Sequence, residues 1–198
     1  MTAPVLDRRT GGAAVAGGLL LAASVGAELL HPVQEPDGSV VSPALFAAYL
    51  TMWTLGAAAL LVSQLGLRRT PGLSGVGRAG AMVSAAGTGL LLAFGLVVVV
   101  SALATGAPLE ASFLAFALGL LLLAVGSVLL GLGLRRAGAV GGWWVVLPVA
   151  GAGALVALLV EQGHDAGLFV FFAAWVLLGV GCMQRSVRPA HRIAAPVG

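Results

Sequence analysis

Six apolar runs, at residues 11–30, 44–67, 79–103, 109–134, 143–160 and 166–184, constrain this sequence more than any other feature. Crossing a hydrocarbon core of about 30 Å takes about 20 residues of α-helix at 1.5 Å each, so each run is long enough, or nearly so, to cross once. The sequence predicts an all-α integral membrane protein built as a six-helix transmembrane bundle. Residues 1–10 form an N-terminal segment, 11–184 a single transmembrane domain and 185–198 a tail.

Composition agrees. Of the 198 residues, 60% are apolar and 9% charged, and mean hydropathy is +1.08. A soluble domain carries roughly 25% charged residues because its surface must face water. The basic pI of about 10.5 does not point to nucleic acid, because the basic residues fall in short clusters between the apolar runs. All ten are arginine, which together with the Ala, Gly, Val and Leu usage suggests a high-GC bacterial genome. The single cysteine, Cys182, excludes an internal disulfide and any multi-cysteine metal or redox motif, and is expected as a small packing residue.

The connections set the expected orientation. Arg8 and Arg9 precede the first run, Arg68, Arg69 and Arg78 lie between the second and third, Arg135 and Arg136 between the fourth and fifth, and Arg185, Arg188 and Arg192 after the sixth. Glu35, Asp37, Glu110, Glu161 and Asp165 fall on the other side. Positive residues are retained in the cytoplasm, so both termini are expected inside a bacterial cytoplasmic membrane, with the acidic loops outside. A competing possibility is that Arg8-Arg9, the first run and Val25-Gly26-Ala27 form a cleaved signal peptide, leaving five spans.

Odd-numbered runs share a phrase: Ala16-Gly17-Gly18-Leu19-Leu20-Leu21-Ala22 returns as Ala86-Gly87-Thr88-Gly89-Leu90-Leu91-Leu92-Ala93, and more loosely from Ala150 to Ala157. Even-numbered runs share another, Leu65-Gly66-Leu67-Arg68-Arg69 matching Leu132-Gly133-Leu134-Arg135-Arg136. Three tandem helical hairpins with pseudo-threefold character would account for both; chance recurrence in a biased composition is the alternative. Small residues spaced four apart, such as Ala14 with Gly18 and Gly80 with Ser84, permit close helix approach in lipid. On this basis the odd helices are expected inside the bundle. The even helices, with Phe46, Tyr49, Trp53, Phe113, Phe116, Phe169, Phe171, Phe172 and Trp175 in their outer halves, are expected to turn toward lipid.

Away from their ends the runs offer only Ser, Thr, Gln64 and backbone, with no ionisable group of the kind that marks ion-coupled transport pathways. Polar chemistry gathers at the acidic rim. Glu28-Leu29-Leu30-His31 ends the first run and Glu161-Gln162-Gly163-His164 follows the fifth, with Glu110 at the same depth. Residues three apart share a helical face, and di-iron carboxylate bundles use such Glu-x-x-His pairs. Glu28, His31, Glu110, Glu161 and His164 are therefore the candidate metal ligands, and His31 with His164 the candidate haem ligands. Confinement of polar residues to span ends produces the same crowding without any metal, Pro32 biases His31 away from helix and Gly163 loosens the second pair. The loop from His31 to Pro43 is the longest, and its Pro36-Asp37-Gly38-Ser39 reads as a turn; it serves as a lid, a partner dock or a plain connector.

Phosphate-binding, nucleophile-elbow and zincin motifs are absent from the sequence. Three functional expectations follow: a non-enzymatic accessory or structural subunit, or a binder of lipid or a hydrophobic ligand, partnered by membrane lipid or another membrane protein; a membrane-embedded metal, haem or redox protein using the acidic rim; and a permeation pathway for a small neutral or apolar solute. Neither substrate nor cofactor is legible at this level.

Overall fold

The computed structural model describes residues 8–30, 42–105, 112–160 and 164–192. They form α1 (Arg8–Leu30), α2 (Pro43–Arg68), α3 (Gly75–Thr105), α4 (Ser112–Ala137), α5 (Val146–Leu159) and α6 (His164–Arg192), with one turn of 3₁₀-helix, Gly141–Val145, leading into α5. No strand occurs among the described residues. All six helices, α5 together with its 3₁₀ lead-in, are long and apolar enough to cross a membrane.

Local chemistry explains several helix ends. Ser42 caps α2, its hydroxyl accepting from the Leu45 N–H at 3.5 Å, and Pro43 occupies the first helical position, where no N–H is needed. Ser74 accepts from the Gly77 N–H at 3.3 Å at the start of α3. Gly138, just after α4, has φ +62°, the left-handed conformation that ends helices at glycine. Pro148 lies in the first turn of α5, because the 3₁₀ turn ends at Val145; its missing N–H falls where no intrahelical bond is made.

Sequence-adjacent helices pack together throughout, and α6 returns to α1, closing a ring. The close approaches pair residues in opposite chain directions. Gly17 meets Gly56 and Leu60, while nearer the helix ends Gly66 meets Thr10. Gly77 meets Gly133 and Gly87 meets Gly119; Gly153 meets Gly167; Gly11 meets Gly179. The bundle is thus up-and-down, and one rim carries Arg8, Arg9, Arg68, Arg69, Arg78, Arg135 and Arg136. Glu28, His164 and Asp165 lie at the other.

The expected division into inner odd and outer even helices does not hold. In a ring each helix has two neighbours and none is internal. Of the spanning windows, that of α6 is the most buried, at 56%, against 33% for each of α1, α3 and α5. Five aromatics of the even helices, Phe46, Trp53, Phe171, Phe172 and Trp175, are buried as well, while Phe113 is exposed. Glycines occupy the seams, where a Cβ at Gly17 would lie 2.8 Å from the Gly56 carbonyl oxygen. The space enclosed by six helices then needs volume, which Leu60, Leu120, Leu123, Leu130, Leu147 and the aromatics supply.

The seam between α2 and α3 is held by polar groups. Gln64 Nε2 donates to Ser84 Oγ at 3.0 Å, and Thr88 Oγ1 donates to Gln64 Oε1 at 2.9 Å. All three residues are buried, so the polar atoms of Gln64 find partners where lipid and water could supply none.

Candidate functional site

Toward the acidic rim the seam between α2 and α3 opens into a cavity of about 430 Å³, bordered by α1, α2, α3, α4 and α6. The first turns of α2 contribute Phe46, Tyr49, Leu50 and Trp53, spaced i, i+3, i+4 and i+7, so one helical face lines the space. α3 adds Phe94, Gly95 and Val98, and α4 adds Phe113 and Phe116. Trp53 closes the deep end. Its indole Nε1 donates to the Leu91 carbonyl at 3.5 Å, and its ring meets Phe172 edge-on, with centroids 6.4 Å apart. Tyr49 stacks on Trp53 at 6.4 Å, while Phe94 lies 4.9 Å from Phe116 and 5.8 Å from Phe113.

Polar groups gather on one side of this aromatic space. Tyr49, Asp165 and His164 all lie within electrostatic reach of the Glu28 carboxylate. His164 Nδ1 is 2.7 Å from the Ala157 carbonyl oxygen. A carbonyl only accepts, so Nδ1 carries the proton, and in the neutral ring Nε2 keeps its lone pair. The Phe116 ring lies 5.5 Å from the imidazole.

Of the candidate ligands taken from the sequence, Glu28 and His164 meet at this cavity, joined by Asp165. His31, Glu110 and Glu161 lie outside the described residues, as does most of the 31–43 loop, so each Glu-x-x-His pair has one described member. Among the described residues no three His, Cys, Asp or Glu side chains are grouped as metal ligands. Tyr49, Trp53, Phe94 and Phe116 were not singled out by the sequence as site residues. The spacing of Tyr49 and Trp53 along α2 is visible in the sequence, but in a chain apolar on every face, spacing alone does not separate a cavity wall from a lipid-facing stripe.

Among the described residues the lining offers no thiol and no hydroxyl but that of Tyr49. What it offers is apolar and aromatic surface with two carboxylates and an imidazole at one edge.

Fold and cavity together define a multi-pass α-helical membrane protein with an aromatic chamber at one rim. Comparison with protein-family models, with curated proteins and with solved structures finds no match.

Proposed function

We propose that the protein binds a small amphiphilic molecule in the rim cavity, its apolar body against Trp53, Phe94 and Phe116 and its polar end beside Glu28, Tyr49, His164 and Asp165. The observation that carries this is the cavity itself, about 430 Å³, within the range of roughly 300–1,000 Å³ typical of small-molecule sites. Elsewhere the bundle interior is filled by fully buried side chains such as Leu60, Leu130, Phe171 and Trp175, which favours binding at one end over passage through the middle. The chain acts on this view as a non-enzymatic binder or as an accessory subunit that holds a lipid or hydrophobic ligand for another membrane protein.

The arginine rim faces the cytoplasm of a bacterial cell and the cavity opens toward the outer leaflet. Support comes from the segregation of every basic residue to one side, as retention of positive charge requires. The three hairpins α1–α2, α3–α4 and α5–α6 descend from one repeated unit, a view supported by the shared phrases of the sequence and by the closed ring.

Native mass spectrometry of protein purified in mild detergent tests the binding role. The wild-type chain is expected to retain a small-molecule adduct that Val98→Trp, which fills the cavity from α3, loses. Equal retention by both would contradict it.

A further inference from the structure

We infer that the occupant of the rim cavity is a lipophilic organic cation, an ammonium or phosphonium centre carrying an apolar body. This rests on the cavity being a ligand site and adds the sign of the charge. Glu28 and Asp165 both line the cavity, and among the described residues its lining contains no arginine or lysine. The described arginines at helix ends, Arg68, Arg78, Arg135 and Arg136, belong to the opposite rim, separated from the cavity by the length of the spans. Among the described residues the one nearby group able to carry positive charge is His164, whose Nδ1 proton is directed at the Ala157 carbonyl and not at either carboxylate. An anion placed here would face two carboxylates, Glu28 half-buried and Asp165 exposed, with no arginine or lysine among the described lining residues to offset them.

The apolar walls point the same way. Aromatic faces carry negative potential and attract cations, most strongly when water is excluded. Tyr49, Trp53, Phe94 and Phe116 surround the space beside the carboxylates, an arrangement that recognises cations too weakly hydrated to prefer bulk water. Trp53 is buried, so a cation stacked on it would be largely desolvated. A compact inorganic cation meets fewer of these surfaces: among the described residues no three metal-ligating side chains converge, and most of the wall is hydrocarbon.

Tetraphenylphosphonium, tetraphenylborate and neutral triphenylphosphine oxide, related in shape but differing in charge, make the test. Equilibrium dialysis against purified protein, with protein-free micelles as the blank, should show saturable uptake of the phosphonium. The other two should bind at least roughly tenfold more weakly, the scale expected of desolvated cation–π and carboxylate contacts. Glu28→Gln and the exposed Asp165→Asn should each weaken phosphonium binding several-fold, by about 3–10 times, and leave the oxide unchanged. Equal uptake of oxide and phosphonium, or phosphonium binding indifferent to both variants, would overturn the cation assignment while leaving the cavity as a ligand site. Uptake of none of the three, or uptake unaltered by Val98→Trp, would overturn the ligand site as well.

Discussion

Tyr49, in the second turn of α2, lies beside Glu28, in the last turn of α1, and both line the rim cavity. The phenol sets a hydroxyl next to a half-buried carboxylate, and its ring stacks on Trp53 with centroids 6.4 Å apart. Tyr49 therefore ties the charge of the site to its aromatic wall, and removal of its hydroxyl has consequences that can be measured.

Tyr49→Phe keeps the ring and deletes the hydroxyl beside Glu28, and should destabilise the protein by about 1–2 kcal/mol. Glu28→Gln keeps a polar group beside that hydroxyl and should cost less. Thermal unfolding in detergent checks the order; an equal or larger loss for Glu28→Gln would contradict it.

Positions 63 and 64 are both buried polar residues on α2 but should respond oppositely to apolar replacement. Gln64 bridges to Ser84 and Thr88, and Gln64→Leu should cost about 1–2 kcal/mol for two interhelical bonds in a membrane. Among the described residues the buried Ser63 hydroxyl has no hydrogen-bond partner, so Ser63→Ala should be neutral or stabilising. Denaturant titration of the two variants would show whether the bridge matters as stated.

Glycine-to-alanine changes should divide by seam. A Cβ at Gly133 would collide with the Gly77 backbone in the α3–α4 contact, where the nearest atoms are main chain and cannot yield as a side chain would. Gly133→Ala should destabilise by about 1–3 kcal/mol. At Gly89 a Cβ would meet nothing within 4 Å, and Gly89→Ala should be neutral or stabilising by about 0.5–1 kcal/mol. Melting curves showing the same loss for both would place the seam elsewhere.

Orientation is open to labelling. Cys182 is buried, so a Cys182→Ala background suits single-cysteine probes at the exposed positions Asp165 and Pro71. In intact cells an impermeant maleimide should modify Asp165→Cys at once and Pro71→Cys only after permeabilisation. Early labelling of Pro71→Cys would reverse the orientation.

Much of the fold was legible because a bilayer fixes helix length: the six runs and the six spanning helices coincide apart from end shifts. α3 starts at Gly75 and α6 continues to Arg192, since hydropathy marks where a helix enters lipid, not where its hydrogen bonds stop. What the sequence hid was direction. Trp175 is fully buried while Phe113 on another even helix is 55% exposed, yet both sit in equally apolar surroundings along the chain. In a soluble helix the polar face reveals the inner one; here lipid and core ask for the same residues. The approach of Glu28 to His164 and Asp165 was half legible, through the gathering of polar residues at one rim. The aromatic chamber beside them depends on the opening of α2 from α3, a long-range packing outcome with no local signature.

A density map of the protein reconstituted in lipid shows whether the rim cavity is a ligand site. Non-protein density should lie against Trp53 and between Phe94 and Phe116, with one end beside Glu28 and Asp165. A map in which Tyr49, Phe94 and Phe116 close on one another, leaving no room beside Trp53, would contradict it.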